Sequence, residues 1–441
     1  MLTREQAQKL VAKVLKFSSF PECSVGVDES EQAYIRFANN GVTTSGFTVE
    51  RTVSVRSTRE GKSGISQTTD WNDDALRATV KRAEELAAIA PPNPERVPEL
   101  GPQKYPQHDN WDERTAAARS PQLVPHVKAV LDAALSKKLV AAGFFNRTAG
   151  IEAFGNSAGN FGYQRRTDSR MTTTVRTPTG SSSGWAGQPS TRIGEINGAD
   201  LAARAIDKCV RWTKPLRLEP GRYTVVLEPT ATADLANLAG GALSARLTEE
   251  GRSFFSKKGG GTLVGERLFP EAITLRSDAF DKRFPTQLWT AEMTANRPVT
   301  WIEKGVVKNL WYDRYWAAKT GVEPTSWPVS LILDGGTGSV ADLVKATDRG
   351  LLITRFWYIR VVNPQTLQMT GLTRDGVFLI ENGQVSKPVI NLRFNESPMR
   401  MLQNVKLLGR SERVRGAEGT GMIAPALQVA DFNFTSISDA V

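Results

Sequence analysis

The sequence predicts an α+β fold in two domains, and three observations carry that expectation. Helical and strand-like periodicities mix along the chain without regular strand–helix–strand alternation, which argues against a doubly wound sheet. No segment recurs at a spacing of about 20–50 residues, so the chain is not a solenoid. A length of 441 residues, 40% hydrophobic and 23% charged, is enough to fill more than one core. The boundary is placed between residues 215 and 216, and the first domain contains a proline-rich connector over residues 91–110.

Leu10, Val11, Val14 and Leu15 fall at helical spacing near the start, giving an amphipathic surface helix rather than a signal peptide, since Arg4 and Glu5 interrupt any apolar run. Strand-like runs come next at residues 33–41 and 46–58, with a turn at Arg59–Lys62 into residues 63–69. A helix is predicted over 72–90, with Leu76, Val80, Ala83 and Ala87 on one face, Thr69 or Asp70 as its cap, and Pro91 and Pro92 as its stop. A second helix is expected near 121–137, with Val124, Val127, Val130, Leu131 and Ala134 as its apolar stripe. Residues 139–196, rich in Gly, Ser and Thr, carry β-type pieces at 141–147 and 171–177, before a helix at about 198–212.

The second half opens with a strand at 223–229, then a stretch of small apolar residues at 232–247 and a Gly-rich loop at 257–265. Two hairpins are signalled, one across Lys304-Gly305 and one across Asn382-Gly383, a pair suited to a type I′ turn. A helix at 314–320 stops at Gly321, a natural C-cap. A buried strand is expected at 329–334, a helix at 340–348 and a strand at 351–362.

Composition bounds the function. No run approaches the roughly 20 apolar residues of a membrane span, so no membrane partner is expected and the cytoplasm is the expected compartment. Cys23 and Cys209 form neither a disulfide framework nor a CxxC pair, and each reads as a small buried apolar residue. Basic residues exceed acidic ones by 56 − 46 = 10, but the charges are dispersed and no nucleic-acid-binding motif accompanies them, so a nucleic-acid partner is not expected.

Gly180–Gly184 matches the GxSxG nucleophile elbow in letters only, because its flanks carry neither a strong strand nor a helix and both histidines precede it. The Asp334–Ser339 loop opens a helix but lacks a dinucleotide or P-loop signature; Ser339 and Asp342 have capping-box spacing instead. The aromatic clusters Trp311–Trp316 and Phe356–Tyr358 read as packing, with a subunit interface or a peptide grip as the other uses. The only histidines are His108 and His126, and there is no HExxH-type helix, so no zinc-hydrolase constellation is recognisable.

The order of segments resembles the TldD/PmbA family along most of the chain. Residues 54–83 carry the N-terminal match and residues 154–160 and 218–247 the middle ones, with C-terminal matches at 307–321, 347–357 and 377–389. The active branch of that family carries HExxxH on the helix after the VVLEP-like strand, and a cysteine near the C-terminus completes its zinc site. Here Asn237, Leu238 and Ala242 stand in that motif's place, and residues 416–425 replace the cysteine-bearing loop. No histidine lies beyond 126 and no cysteine beyond 209, so the chain resembles the TldE (PmbA)-like branch that lacks the motif. Residues 284–305 depart from both branches.

The resemblance implies a two-domain fold of mixed and antiparallel sheets flanked by helices, with a β-rich C-terminal domain equivalent to the metalloprotease domain but without its ligands. It implies no catalytic or metal residue and no cofactor in this chain, with zinc expected in a TldD-type partner subunit. Together they would process unfolded peptide inside an enclosed lumen, this subunit completing the wall and holding peptide extended by strand addition. Arg355, Phe356, Trp357 and Asn363 are the peptide-binding or interface candidates. The alternatives are a stand-alone homodimer that binds peptide without cleaving it, and a DNA- or gyrase-associated modulator, for which the +10 charge is the only support.

Overall fold

A computed structural model describes residues 1–108, 110–416 and 421–438. Its first half runs α1 (Arg4–Leu15), β1 (Glu22–Ala38), β2 (Gly41–Arg59), β3 (Lys62–Thr68), α2 (Asp73–Ile89), α3 (Glu113–Ala117), α4 (Ser120–Ser136), β4 (Val140–Asn156), β5 (Phe161–Arg176), β6 (Ser183–Ser190) and α5 (Gly198–Arg211). The six strands form one antiparallel sheet in the order β3-β2-β1-β4-β5-β6. It is two meanders joined where β1 meets β4. Alternation of buried and exposed residues along β1 and β5 turns one face toward the helices. Val25, Val27, Val53 and Val55 pack under α1 and α2, and Ile35, Phe37, Phe145 and Met171 under α4 and α5.

Local chemistry sets the helix ends, with two departures from the sequence reading. Asn72, rather than Thr69 or Asp70, caps α2 by accepting from the Ala75 N–H at 2.8 Å. In α4 Leu123, fully buried, heads the core stripe of Val127, Val130 and Ala134, while Val124 is 46% exposed. Both cysteines are buried. Along the proline-rich connector, the side-chain amides of Asn156 and Asn160 both donate to the Leu100 carbonyl.

The second half runs β7 (Gly221–Leu227), α6 (Pro229–Ala236), α7 (Ala239–Ala242), α8 (Ala245–Glu249), β8 (Leu275–Ser277), β9 (Val299–Glu303), β10 (Val306–Val307), α9 (Arg314–Thr320), β11 (Leu331–Leu333), α10 (Val340–Lys345), β12 (Arg349–Asn363), β13 (Gln368–Glu381), β14 (Gln384–Pro388), β15 (Leu392–Glu396), α11 (Pro398–Gln403), β16 (Val405–Val414) and β17 (Met422–Ile437). The predicted turns are in place. Asn382 (φ 51°) and Gly383 (φ 72°) both take the left-handed conformation a type I′ hairpin requires, and Gly321 (φ 72°) ends α9. Ser339 and Asp342 form their capping box at the start of α10, which stops at Lys345, short of the expected 348.

Five of these strands close on themselves. β7 pairs in parallel with β12, β12 with β13, β13 with β15, β15 with β17, and β17 returns to β7. Register breaks at Ile353/Arg355 and Trp357/Arg360 in β12 and at Val429/Phe432 in β17 supply the curvature closure needs. The interior is aromatic: Phe356 stacks on Phe432 at 5.6 Å and meets Phe394 edge-on at 4.7 Å, and Phe434 lies 5.1 Å from Phe432. The strands β11, β8, β9 and β10 extend this sheet outward from β17.

The divergent segment 284–305 has a physical place. Trp289 packs 4.9 Å from Phe154 of β4, and Gln164 of β5 accepts the Leu288 N–H at 3.0 Å, so this segment joins the two halves.

Phe356 is thus a barrel residue rather than a surface grip. Truncating Phe356→Ala should cost about 3–5 kcal/mol of unfolding free energy in urea titration; a loss below about 1 kcal/mol would remove the ring from the core.

Candidate functional site

The motif position lies on the segment that leaves the barrel after β7. Glu228 donates its N–H to the Ile353 carbonyl at 3.0 Å, Pro229 fixes the first helical turn, and every residue of α6 is buried. Only small side chains let a helix sink that deeply against strands, which explains the Ala- and Thr-rich sequence. Leu235 is larger, and Asp234 is the one charged residue. Its carboxylate accepts the Phe356 N–H at 3.0 Å, tying α6 to β12 beside a register break, and Gly416 packs directly against it where a side chain would collide.

Asn237 C-caps α6 and Leu238 leads into α7; both are half-buried. Ala242 is buried, with its carbonyl accepting the Ser253 hydroxyl at 2.6 Å. A groove of about 510 Å³ opens here, lined on one side by Gly241, Ala242 and Leu247, and on the other by Val361, Asn363 and Leu367. Asn363 shapes its far wall, its Oδ1 accepting the N–H groups of Gln365 (2.9 Å) and Thr366 (3.2 Å). Gln365 Nε2 then reaches the Gly251 carbonyl at 3.0 Å and braces the two walls. The groove is mainly apolar with a few fixed polar groups, the usual character of a peptide or small-ligand cleft.

Of the sequence candidates, the structure brings Ala242 and Asn363 together in this groove and leaves the others elsewhere. Arg355 lies in a seam between the two sheets. Its Nε donates to Asp375 Oδ2 at 2.7 Å, its Nη2 donates to the same oxygen, and its guanidinium lies 4.9 Å from the Trp185 ring of β6. Trp357 is half-buried between two guanidiniums, Arg355 and Arg374, each 5.5 Å from its ring. Burial alone would push the Asp375 carboxyl up, but Arg355, the Ser183 hydroxyl and Arg374 outweigh it and hold it below the ordinary aspartate range.

The same seam holds further pairs. Lys208 Nζ meets Glu228 at 2.7 Å, and burial outweighs that partner in drawing its pKa down. Arg413 pairs with Asp168, and Arg170 donates to the Gly416 carbonyl at 3.0 Å. Ser182, the central residue of the GxSxG string, donates to the Cys209 carbonyl, a packing role.

Sequence reasoning missed Asp375, Trp185, Val361 and Leu367. A buried Asp at positive φ (56°) followed by Gly376 is the one local signal that could have marked Asp375. Of the segment expected to replace the cysteine loop, residues 417–420 lie outside the described residues. Among the described residues, no three His, Cys, Asp or Glu side chains gather where they could hold one ion.

Comparison with known proteins places this geometry in context. Residues 220–436 match the family model for the PmbA/TldA metallopeptidase C-terminal domain, and residues 23–87 the model for PmbA/TldA metallopeptidase domain 1. No curated protein sequence matches the chain. Among solved structures, the fold is similar to that of TldE from Thermococcus kodakarensis, at 18% identity and a TM-score of 0.85, covering 97% of this chain and 99% of the other. It is as similar, with a TM-score of 0.85, to a candidate modulator of a DNA gyrase from Thermotoga maritima, at 17% identity over 98% of this chain and all of the other. A third such structure, a candidate modulator of DNA gyrase from Bacteroides thetaiotaomicron, shares 19% identity over 99% of this chain and all of the other, again at a TM-score of 0.85.

The Arg355–Asp375 pair makes a pH-dependent prediction. A carboxyl depressed in the folded state stabilises at pH above its unfolded value, about 3.9, and that stability is lost as the pH falls toward the folded value. Asp375→Asn, which leaves Arg355 buried without its counter-charge, should cost about 3–5 kcal/mol at neutral pH. Thermal melts across an acid series should show the variant's deficit shrinking below about pH 4.

Proposed function

The chain belongs to the TldD/PmbA metallopeptidase family, and from that premise we propose that it is the non-catalytic, TldE-like subunit of a two-component zinc protease acting on unfolded peptides. What supports the reading is the stretch that the resemblance sets against the metal motif: Asn237, Leu238 and Ala242 offer one amide and aliphatic groups. That donor set does not fit zinc, which takes imidazole, thiolate or carboxylate. The adjacent carboxylate, Asp234, is committed to the Phe356 N–H. No hydrolytic step is therefore assigned to this chain.

Its role lies in what the groove can do. Val361 and Leu367 offer apolar surface to side chains, while the bracing bond from Gln365 to Gly251 keeps the walls apart without a ligand. Such a cleft holds a segment of extended chain and excludes a folded domain, and a TldD-type partner would supply the zinc centre. The similarity to a structure named TldE supports this assignment. The two structures named as gyrase modulators, with the net charge of +10, favour a second reading as a DNA-associated protein, for which DNA binding that weakens steeply with salt is the discriminating result.

The direct experiment measures zinc in the purified chain by elemental mass spectrometry and assays cleavage of an unfolded peptide on the same sample. Substoichiometric zinc without cleavage, and activity gained on adding a TldD-type subunit, is the expected result. One tightly held zinc per chain with cleavage overturns the proposal. Val361 is 57% exposed, so Val361→Asp should lower cleavage by the complex severalfold while shifting the melting temperature little; unchanged cleavage would take the groove out of peptide handling.

A further inference from the structure

One end of the barrel, where β7 and β13 begin and β15 finishes, holds a second cavity of about 510 Å³. Arg222, Gln368 and Glu396 line it from those three strands, Arg400 from α11 and Asn404 from the cap of that helix, and Phe254 supplies one aromatic ring. Barrel closure brings these groups together, since Arg222 lies opposite Asn433 in the β7–β17 register and Glu396 opposite Met369 in the β13–β15 register.

Glu396 is the unusual group. It is 3% exposed, and its two carboxylate oxygens each accept one backbone N–H, from Ser397 at 2.9 Å and from Asn433 at 3.2 Å. Each oxygen keeps a lone pair for a further donor. A carboxylate buried this far ordinarily has a counter-charge, yet among the described residues no cation lies within ion-pair distance of it. Burial raises its pKa, against the two backbone bonds and the more distant Arg400 and Arg222, which lower it. Those two guanidiniums stand at the rim, 49% and 44% exposed, and both meet the same Asp431 oxygen, at 3.2 and 2.9 Å.

Charge selects the ligand. Arg222 and Arg400 balance Glu396 and Asp431, so the cavity is neutral as a whole, with negative charge to spare in its wall and positive charge to spare at its rim. A simple cation or anion satisfies one of these and is opposed by the other. We propose that the cavity binds a short-peptide zwitterion of dipeptide size, its ammonium on Glu396 and its carboxylate on Arg222 and Arg400. The two charges stand at different depths, and the termini of a dipeptide lie one residue further apart than those of a free amino acid. The volume falls in the lower half of the range for small-ligand sites. The cavity also backs onto the groove beside Ala242: Phe254 and Thr366 face it, while Ser253 and Gln365 face the groove, so one loop and one turn form a shared wall. Dipeptide binding here is a property of this chain alone and does not depend on the groove taking peptide.

The test is isothermal titration of the full chain with alanyl-alanine, its N-acetylated form and its C-terminal amide. Saturable binding of the dipeptide is expected, lost with the acetyl form and weakened about tenfold or more with the amide. Arg400→Gln should weaken binding by about the same factor while the melting temperature holds, because that side chain is half exposed. Glu396→Gln should abolish binding; where its melting temperature also falls, the acetyl form asks the same question of the unaltered protein. Val361→Asp, in the groove across the shared wall, should leave the affinity for alanyl-alanine unchanged. The proposal is overturned by no saturable binding at millimolar dipeptide, by equal binding of the acetyl form, by an Arg400→Gln variant as tight as wild type, or by loss of binding in Val361→Asp.

Discussion

The second half of the molecule depends on β17 bonding to β7. With that pairing the five strands enclose Phe356, Phe394, Phe432 and Phe434; without it the barrel is a curled sheet with a wet aromatic face. Closure also constrains the helix that leaves the barrel. β7 delivers the chain straight into α6, which packs against β12 and β17, and its alanine and threonine side chains permit the close approach. The small residues of α6 are accounted for by packing, and Asp234 adds a single directed bond that locks the helix at a register break.

Between the halves, charge pairs supplement the apolar contact of Trp289 with Phe154. Lys208 with Glu228 and Arg413 with Asp168 cross from one half to the other, and Arg355, paired with Asp375 on its own hairpin, lies over Trp185 of the first sheet. Buried pairs contribute little net stability over apolar equivalents, yet each tolerates only one geometry. The trade is of strength for orientation: the groove at Val361 and the seam at Trp357 sit on the same hairpin, so fixing one fixes the other.

Much of this was legible in the sequence wherever a local rule acts alone. The turns at Lys304-Gly305 and Asn382-Gly383, the stop at Gly321 and the box at Ser339 each depend on a few adjacent residues, and each lies at its predicted position. The strand 351–362 was legible as a strand but not in its facing. Arg355, Phe356 and Trp357 run in unbroken register between two of its breaks, so alternation sends Phe356 into the barrel and leaves Arg355 and Trp357 together in the seam. Arg355 and Phe356, peptide-binding or interface candidates in the sequence, are both buried. The segment 232–247 carries no amphipathic stripe because α6 is buried all round, and its division into α6, α7 and α8 has no periodic signature. The Asp375-Gly376 pair signals a local turn of the backbone, but the carboxylate's partner, Arg355, lies 20 residues away.

The two halves also differ in how far along the chain their strands must search for partners. Within the first sheet, β1, β2 and β3 come one after another along the chain, as do β4, β5 and β6, so each meander can form from contacts close in sequence. The barrel is different, because β7 waits for β17, about 200 residues later, and loop closure of that length is slow. On a ribosome the first sheet can assemble while the barrel strands are still being made, leaving Phe356 and Phe394 unshielded until the last strand emerges. Synthesis therefore imposes an interval in which the second half depends on chaperones or on the finished first sheet for cover.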